Sequence, residues 1–145
     1  MKKRNDRQAV IREIVRGEGV KTQRALVERL RDRGYNCTQA TISRDISEMG
    51  LQKLPEGVYV LAEDLHLQRM VNDLVVDVRR AGNLVIIHAS SGTAQGVAAA
   101  LDSAELPDIL GSVAGDDAIL VVAATEADGE AFENMIVRLK ANAGA

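Results

Sequence analysis

Apolar residues recur at helical spacing through the first third of the chain. Val10, Ile11, Ile14 and Val15 fall three and four apart with charges between them, which predicts an amphipathic helix over 6–17 that ends near Gly17. Thr22 is placed to cap a second helix, with Leu26, Val27 and Leu30 as its buried stripe and Gly34 closing it. Thr38 then caps a third, whose apolar positions Ile42, Ile46 and Met49 are spaced four and three apart before Gly50 stops it. Three short helices, the second and third joined by a tight turn, make a helix-turn-helix. Leu51-Gln-Lys-Leu54 and Val58-Tyr-Val-Leu61 flank Pro55-Glu-Gly57, and two β-prone arms about a Pro/Gly turn read as a hairpin, hence a wing. A winged helix-turn-helix domain is therefore expected over 1–61.

The period then weakens and changes. Residues 62–67 carry Glu63, Asp64 and His66 without a clear repeat, and 62–72 reads as a linker running into a short helix near 67–72. Strands follow at 74–78 and 84–88, separated by a turn over Arg79-Arg-Ala-Gly-Asn83. An alanine-rich helix is predicted over 93–104, two strands at 109–113 and 118–122, and a last helix over 127–141 with Phe132, Ile136 and Leu139 facing inward. Strand-strand-helix-strand-strand-helix over 73–145 is a small α/β sandwich with helices on one face of the sheet. The fold class is thus α+β: a winged helix-turn-helix domain followed by an α/β sandwich suited to oligomerisation and effector binding.

Charge divides along the same line. Residues 1–54 hold 13 Lys or Arg against 7 Asp or Glu, a net of +6; residues 55–145 hold 5 against 14, a net of -9. A basic first part points to a polyanion as its partner. The only aromatic residues are Tyr35, Tyr59 and Phe132, too few for a base-stacking platform on single strands. The single Cys37 excludes an internal disulfide and a four-cysteine zinc site. Neither a signal peptide nor a run near the ~18 apolar residues of a membrane span is visible, so a soluble, cytoplasmic protein with no membrane partner is expected.

Chemistry concentrates in two places. On the third helix Gln39, Ser43 and Ser47 fall four apart on a polar face, bordered by Thr41 and Arg44, opposite the apolar stripe. These side chains hydrogen-bond base edges and phosphates, and contacts concentrate at the N-terminal end of a recognition helix. Arg44 can read a guanine or grip a phosphate. Lys53 on the wing and Lys2, Lys3, Arg4 and Arg7 would add contacts to the DNA backbone, which set affinity rather than specificity. The stretch Thr38-Gln-Ala-Thr-Ile-Ser-Arg-Asp-Ile46 resembles the recognition-helix signature of the bacterial arginine repressor family. That resemblance implicates Gln39, Thr41, Ser43 and Arg44 in operator contact.

The second place is Gly111-Ser-Val-Ala-Gly-Asp-Asp117, paired carboxylates at a glycine turn between apolar strands. Such a pair can bind a metal, do acid/base work, meet a cationic ligand, or be a solvated turn. A metal site wants further ligands, and His88, the one candidate nearby, lies within an apolar strand where a satisfied histidine is the simpler reading. A metal-dependent enzyme built on Asp116, Asp117 and His88, and an architectural DNA protein without effector, are the competing functions. The motif is similar to the Gly-Thr-Ile-Ala-Gly-Asp-Asp of arginine repressors. Val85-Ile-Ile-His-Ala-Ser-Ser-Gly-Thr-Ala-Gln95 is similar to that family's strand and helix start, with Ser91 where many members have Pro. The resemblance implies that Gln95, Asp116 and Asp117, with Ala94 beside them, bind L-arginine as co-repressor, with no other cofactor, no metal and no catalytic residues. A guanidinium's fork of donors suits two carboxylates. It further implies a homo-oligomer, trimers pairing into a hexamer, that binds palindromic double-stranded operators and regulates arginine biosynthesis and catabolism genes.

Overall fold

Threonines start two of the helices and a glycine stops one, each through a specific contact. Residues 4–141 are described by the computed structural model, so Lys2 and Lys3 lie outside the described residues. The chain forms two compact units, 1–62 and 63–145. In the first, α1 (Arg4–Gly17), α2 (Gln23–Asp32) and α3 (Gln39–Met49) precede a hairpin of β1 (Leu51–Lys53) and β2 (Tyr59–Leu61). Thr22 accepts from the Ala25 N–H and Thr38 from the Thr41 N–H, each satisfying a donor that the helix start leaves unpaired. Gly50 takes φ 67° at the end of α3, a left-handed turn that a side chain would strain, and its N–H returns to Ile46 and Ser47. The chain can then reverse directly into the wing, where Leu51 pairs with Leu61 and Lys53 with Tyr59. Ile11, Ile14, Val15, Val20, Leu26, Leu30, Ile42, Leu51 and Leu61 form its core. Val27, Ile46 and Met49, expected in the apolar stripes, are only half-buried at the edge of that core.

The segment expected as a linker and short helix is helical throughout. Residues 62–67, expected as irregular chain, are the first turns of α4 (Ala62–Leu74), which follows β2 without a loop. Only Leu67 and Val71 of its thirteen residues are buried, so the apolar period is faint. Glu63 and Asp64, read as loop polarity, lie where the positive end of a helix favours carboxylates. Four antiparallel strands follow, β3 (Val75–Ala81), β4 (Leu84–Ala89), β5 (Ile109–Ala114) and β6 (Ala118–Ala123), in spatial order β3-β4-β6-β5. Arg79, Arg80 and Ala81, expected in a turn, are strand: Ala81 pairs with Leu84, leaving only Gly82 and Asn83 between strands. Arg80 looked like turn polarity, but its guanidinium meets Glu133 at 3.1 Å and the Gly82 carbonyl at 2.9 Å.

Helices α5 (Ala94–Ser103) and α6 (Glu126–Ala141) supply Val97, Leu101, Phe132 and Ile136 to a core with Val85, Ile87, Ile119 and Val121 of the sheet. The opposite sheet face carries Leu84, Ile86, Val113 and Leu120 in the open, with exposures of 40%, 39%, 72% and 37%. Ile86 and Val113 flank Leu120 in register, so these residues form a continuous apolar strip. Two bulges add to it, because Val76 and Leu110 are the extra residues of β3 and β5 and both point outward.

Candidate nucleic-acid interface and effector site

On α3 the polar face stands clear of the protein. Gln39, Ser43, Arg44 and Ser47 are exposed, and so is Ala40 between them, a small apolar position that residue-type reasoning passed over. Thr41 differs: it is half-buried, its hydroxyl lies 3.0 Å from that of Thr38, and it belongs to the helix cap as much as to the face. Lys53 is exposed on the wing, its ammonium 5.4 Å from the centre of the Tyr59 ring on the paired strand, a cation-π contact that holds it in place.

Arg7 corrects the sequence reading. Expected to reach for DNA backbone, its guanidinium instead makes two bonds to Asp45 of α3, Nε to Oδ2 at 2.5 Å and Nη2 to Oδ1 at 2.9 Å. Gln8 donates to Asp45 at 3.0 Å and to Glu48 at 3.0 Å. Arg4 remains exposed, 3.6 Å from Glu48. Asp45 is 1% exposed, the one buried charged residue among those described. Burial pushes its carboxyl upward, but the hydrogen bonds from Arg7 and Gln8 and the charge of Arg7 outweigh it and leave the group below the ordinary carboxylate range.

In the second unit Asp116 and Asp117 occupy the tight connection between β5 and β6, and Gln95 the first turn of α5; all three are exposed. Backbone bonds bring these elements to one corner of the sheet. The Ala94 N–H donates to the Asp116 carbonyl at 3.2 Å, and the Ala89 N–H to that of Asp117 at 2.8 Å. Ser91 donates its hydroxyl to the Asp116 carboxylate at 3.2 Å. Gly92 (φ 79°) provides the left-handed turn between them. Ala94 itself is fully buried, its methyl in the core, so it offers the corner backbone rather than side chain. The Thr93 side chain makes no capping bond to the start of α5, which faces the corner that Asp116 and Asp117 share. His88 is half-exposed with its Nδ1 2.5 Å from Asp77, its partner across the β3–β4 ladder. Among the described residues no three His, Cys, Asp or Glu side chains are grouped to hold a metal ion.

The profile of the arginine repressor DNA binding domain matches residues 1–67, and that of the arginine repressor C-terminal domain matches 71–138. The chain belongs to the arginine repressor family. It is 46% identical to the arginine repressor of Thermus thermophilus over 140 residues, covering 89% of this chain and 85% of that protein. The repressor of Caldicellulosiruptor saccharolyticus is 40% identical, covering 95% of each, and that of Shouchella clausii 37% identical, covering 92% of this chain and 99% of the other. Membership makes the chain an arginine-dependent transcriptional repressor and not an enzyme, with L-arginine as co-repressor, so the metal-enzyme reading of Asp116, Asp117 and His88 falls. The α+β architecture, with the DNA-binding unit first and the sheet unit second, is the one expected of the family. No helix among the described residues is long and apolar enough to cross a membrane.

Proposed function

We propose that Gln39, Ser43, Arg44 and Ser47 read operator bases in the major groove, with Thr41 at the edge of the contact and the Ala40 methyl available to a thymine methyl. Lys53 grips the DNA backbone from the wing. L-Arginine binds at the corner of the second unit, its guanidinium against Asp116 and Asp117 and its amino-acid end against Gln95 and the start of α5. The observation that carries this assignment is the Ala94–Asp116 backbone bond, which joins the Asp116-Asp117 turn to a helix start without a side-chain cap. A ligand that is cationic at one end and carries a carboxylate at the other matches both. Citrulline lacks the charge and lysine lacks the fork.

The corner is open in a single chain, and a second copy would close it. The apolar strip of the sheet supports assembly of the C-terminal units into trimers that pair as hexamers. On this account arginine neutralises the acidic corner, tightens the assembly, and presents paired winged units to a palindromic operator at arginine biosynthesis and catabolism genes, in the cytoplasm. Titration calorimetry of the full chain tests the site: L-arginine should bind while citrulline and lysine do not. Arginine binding that survives Asp116→Asn and Asp117→Asn together overturns the assignment.

A further inference from the structure

The recognition helix holds a buried charge beside its exposed reading face. Arg44 and Ser43 are exposed while Asp45, the next residue, is 1% exposed and takes both guanidinium bonds of Arg7. The grip is broader than one pair. Arg4, Arg7 and Gln8 lie three and four apart on one face of α1, and they meet Asp45 and Glu48, three apart on α3. The other anchors of α3 are apolar, with Ile42 in the core and Ile46 and Met49 packed against it. Apolar contacts are non-directional and tolerate rotation of a helix about its axis, whereas a bidentate fork does not. On a helix some 10–12 Å across, a roll of about 20° carries side-chain tips about 2 Å. Recognition geometry is held to about 0.5 Å.

A buried ion pair adds little stability over an apolar pair of the same volume, so its presence here asks for another role, and fixing register is the best attested. We propose that Arg7 and Asp45 are positioning residues for operator readout: the guanidinium–carboxylate fork sets the roll of α3, aligning Gln39, Ser43 and Arg44 with base edges. This rests on the reading of the α3 face given above. It also assigns Arg7 no contact with DNA. Its consequence is that discrimination between operator and other DNA depends on the fork, while non-specific affinity does not.

The experiment uses the full chain with saturating L-arginine, an operator duplex and a scrambled duplex of the same length, over a range of salt. Arg7→Gln and Asp45→Asn should reduce the operator-to-scrambled affinity ratio by roughly five- to 100-fold, about one base pair's worth of discrimination. Binding to the scrambled duplex and its salt slope should be unchanged. Because either single variant can fail to fold, the paired Arg7→Met, Asp45→Leu chain is the deciding one. It should regain the thermal midpoint of the native chain yet keep the reduced ratio. A native ratio in that paired variant reduces the fork to a structural element and overturns the proposal. So does a fall of about 0.9 in the salt slope for Arg7→Gln, the signature of a lost phosphate contact. Ser43→Ala and Arg44→Ala test the face itself in the same assay. Full discrimination in both would remove the reading of the face, and the proposal with it, whatever the fork variants do.

Discussion

The two units break the rule of apolar inside and polar outside in opposite directions. The N-terminal unit buries a charged residue, Asp45, at 1% exposure and surrounds it with Arg7 and Gln8. The C-terminal unit buries no charged residue among those described and leaves Ile86, Val113 and Leu120 in water on one face of its sheet. Each exception lies beside a candidate site. The buried carboxylate is on the helix that carries the proposed DNA-reading face, and the apolar strip shares its strands β5 and β6 with the acidic turn. The first unit has satisfied its unusual group within itself, whereas the second presents surface whose complement is absent from a single chain. A reader of DNA needs fixed side-chain geometry, and a unit that assembles needs an uncovered face.

Removing one half of the fork breaks the comparison most severely. Arg7→Met leaves Asp45 buried without its counter-charge and should destabilise the first unit by about 3–5 kcal/mol. Thermal unfolding followed separately for the two units should show the loss in the first alone. The matching break in the second unit is a charge on the strip. Ile86→Asp or Leu120→Asp, at positions already open to water, should leave the single chain folded but reduce its mass in sedimentation. Each lost apolar side chain removes about 1.5–3 kcal/mol of burial from every copy in the assembly. A variant that sediments at the native mass would show that the strip is not the assembly face.

A gentler cut sharpens the contrast between geometry and charge. Lys53→Ala should lower the slope of operator affinity against salt by about 0.9 while leaving the preference for operator over scrambled DNA in place. The smallest effect is set by pH. Asp45 has its carboxyl held below its ordinary range in the folded chain, so its stabilisation is present in full above the unfolded value of about 3.9. It disappears as pH falls through the lower folded value. Acid unfolding of the first unit should therefore steepen below about pH 4, and Asp45→Asn should flatten that limb.

Local signals were legible and distant ones were not. The caps Thr22 and Thr38, the stop at Gly50, the wing turn and most strand centres follow from residue types within a few positions of one another. The strip was not visible: β4 and β6 are apolar at nearly every position, so nothing in either says which face the helices cover. Arg7 looked like one more cation in a basic segment because its partner lies 38 residues away in the chain. Arg80 looked like a turn residue for the same reason, its partner Glu133 being 53 residues distant. α4 was hidden by its own weak period, with two buried residues in thirteen. At the proposed effector corner the residues Gln95, Asp116 and Asp117 were nameable from the resemblance of their motifs. Their convergence through the Ala94–Asp116 backbone bond, and the Ser91 hydroxyl on Asp116, depend on strand order and required the structure.

The central claim is that the acidic corner senses arginine and the basic unit reports it. The most direct test is operator-fragment binding by the native chain and by the paired Asp116→Asn, Asp117→Asn variant, with and without millimolar L-arginine, with lysine as control. The account predicts that arginine alone tightens the native chain's binding by about five- to 150-fold, a coupling of 1–3 kcal/mol, and leaves the variant unmoved. Equal tightening in both proteins would contradict it.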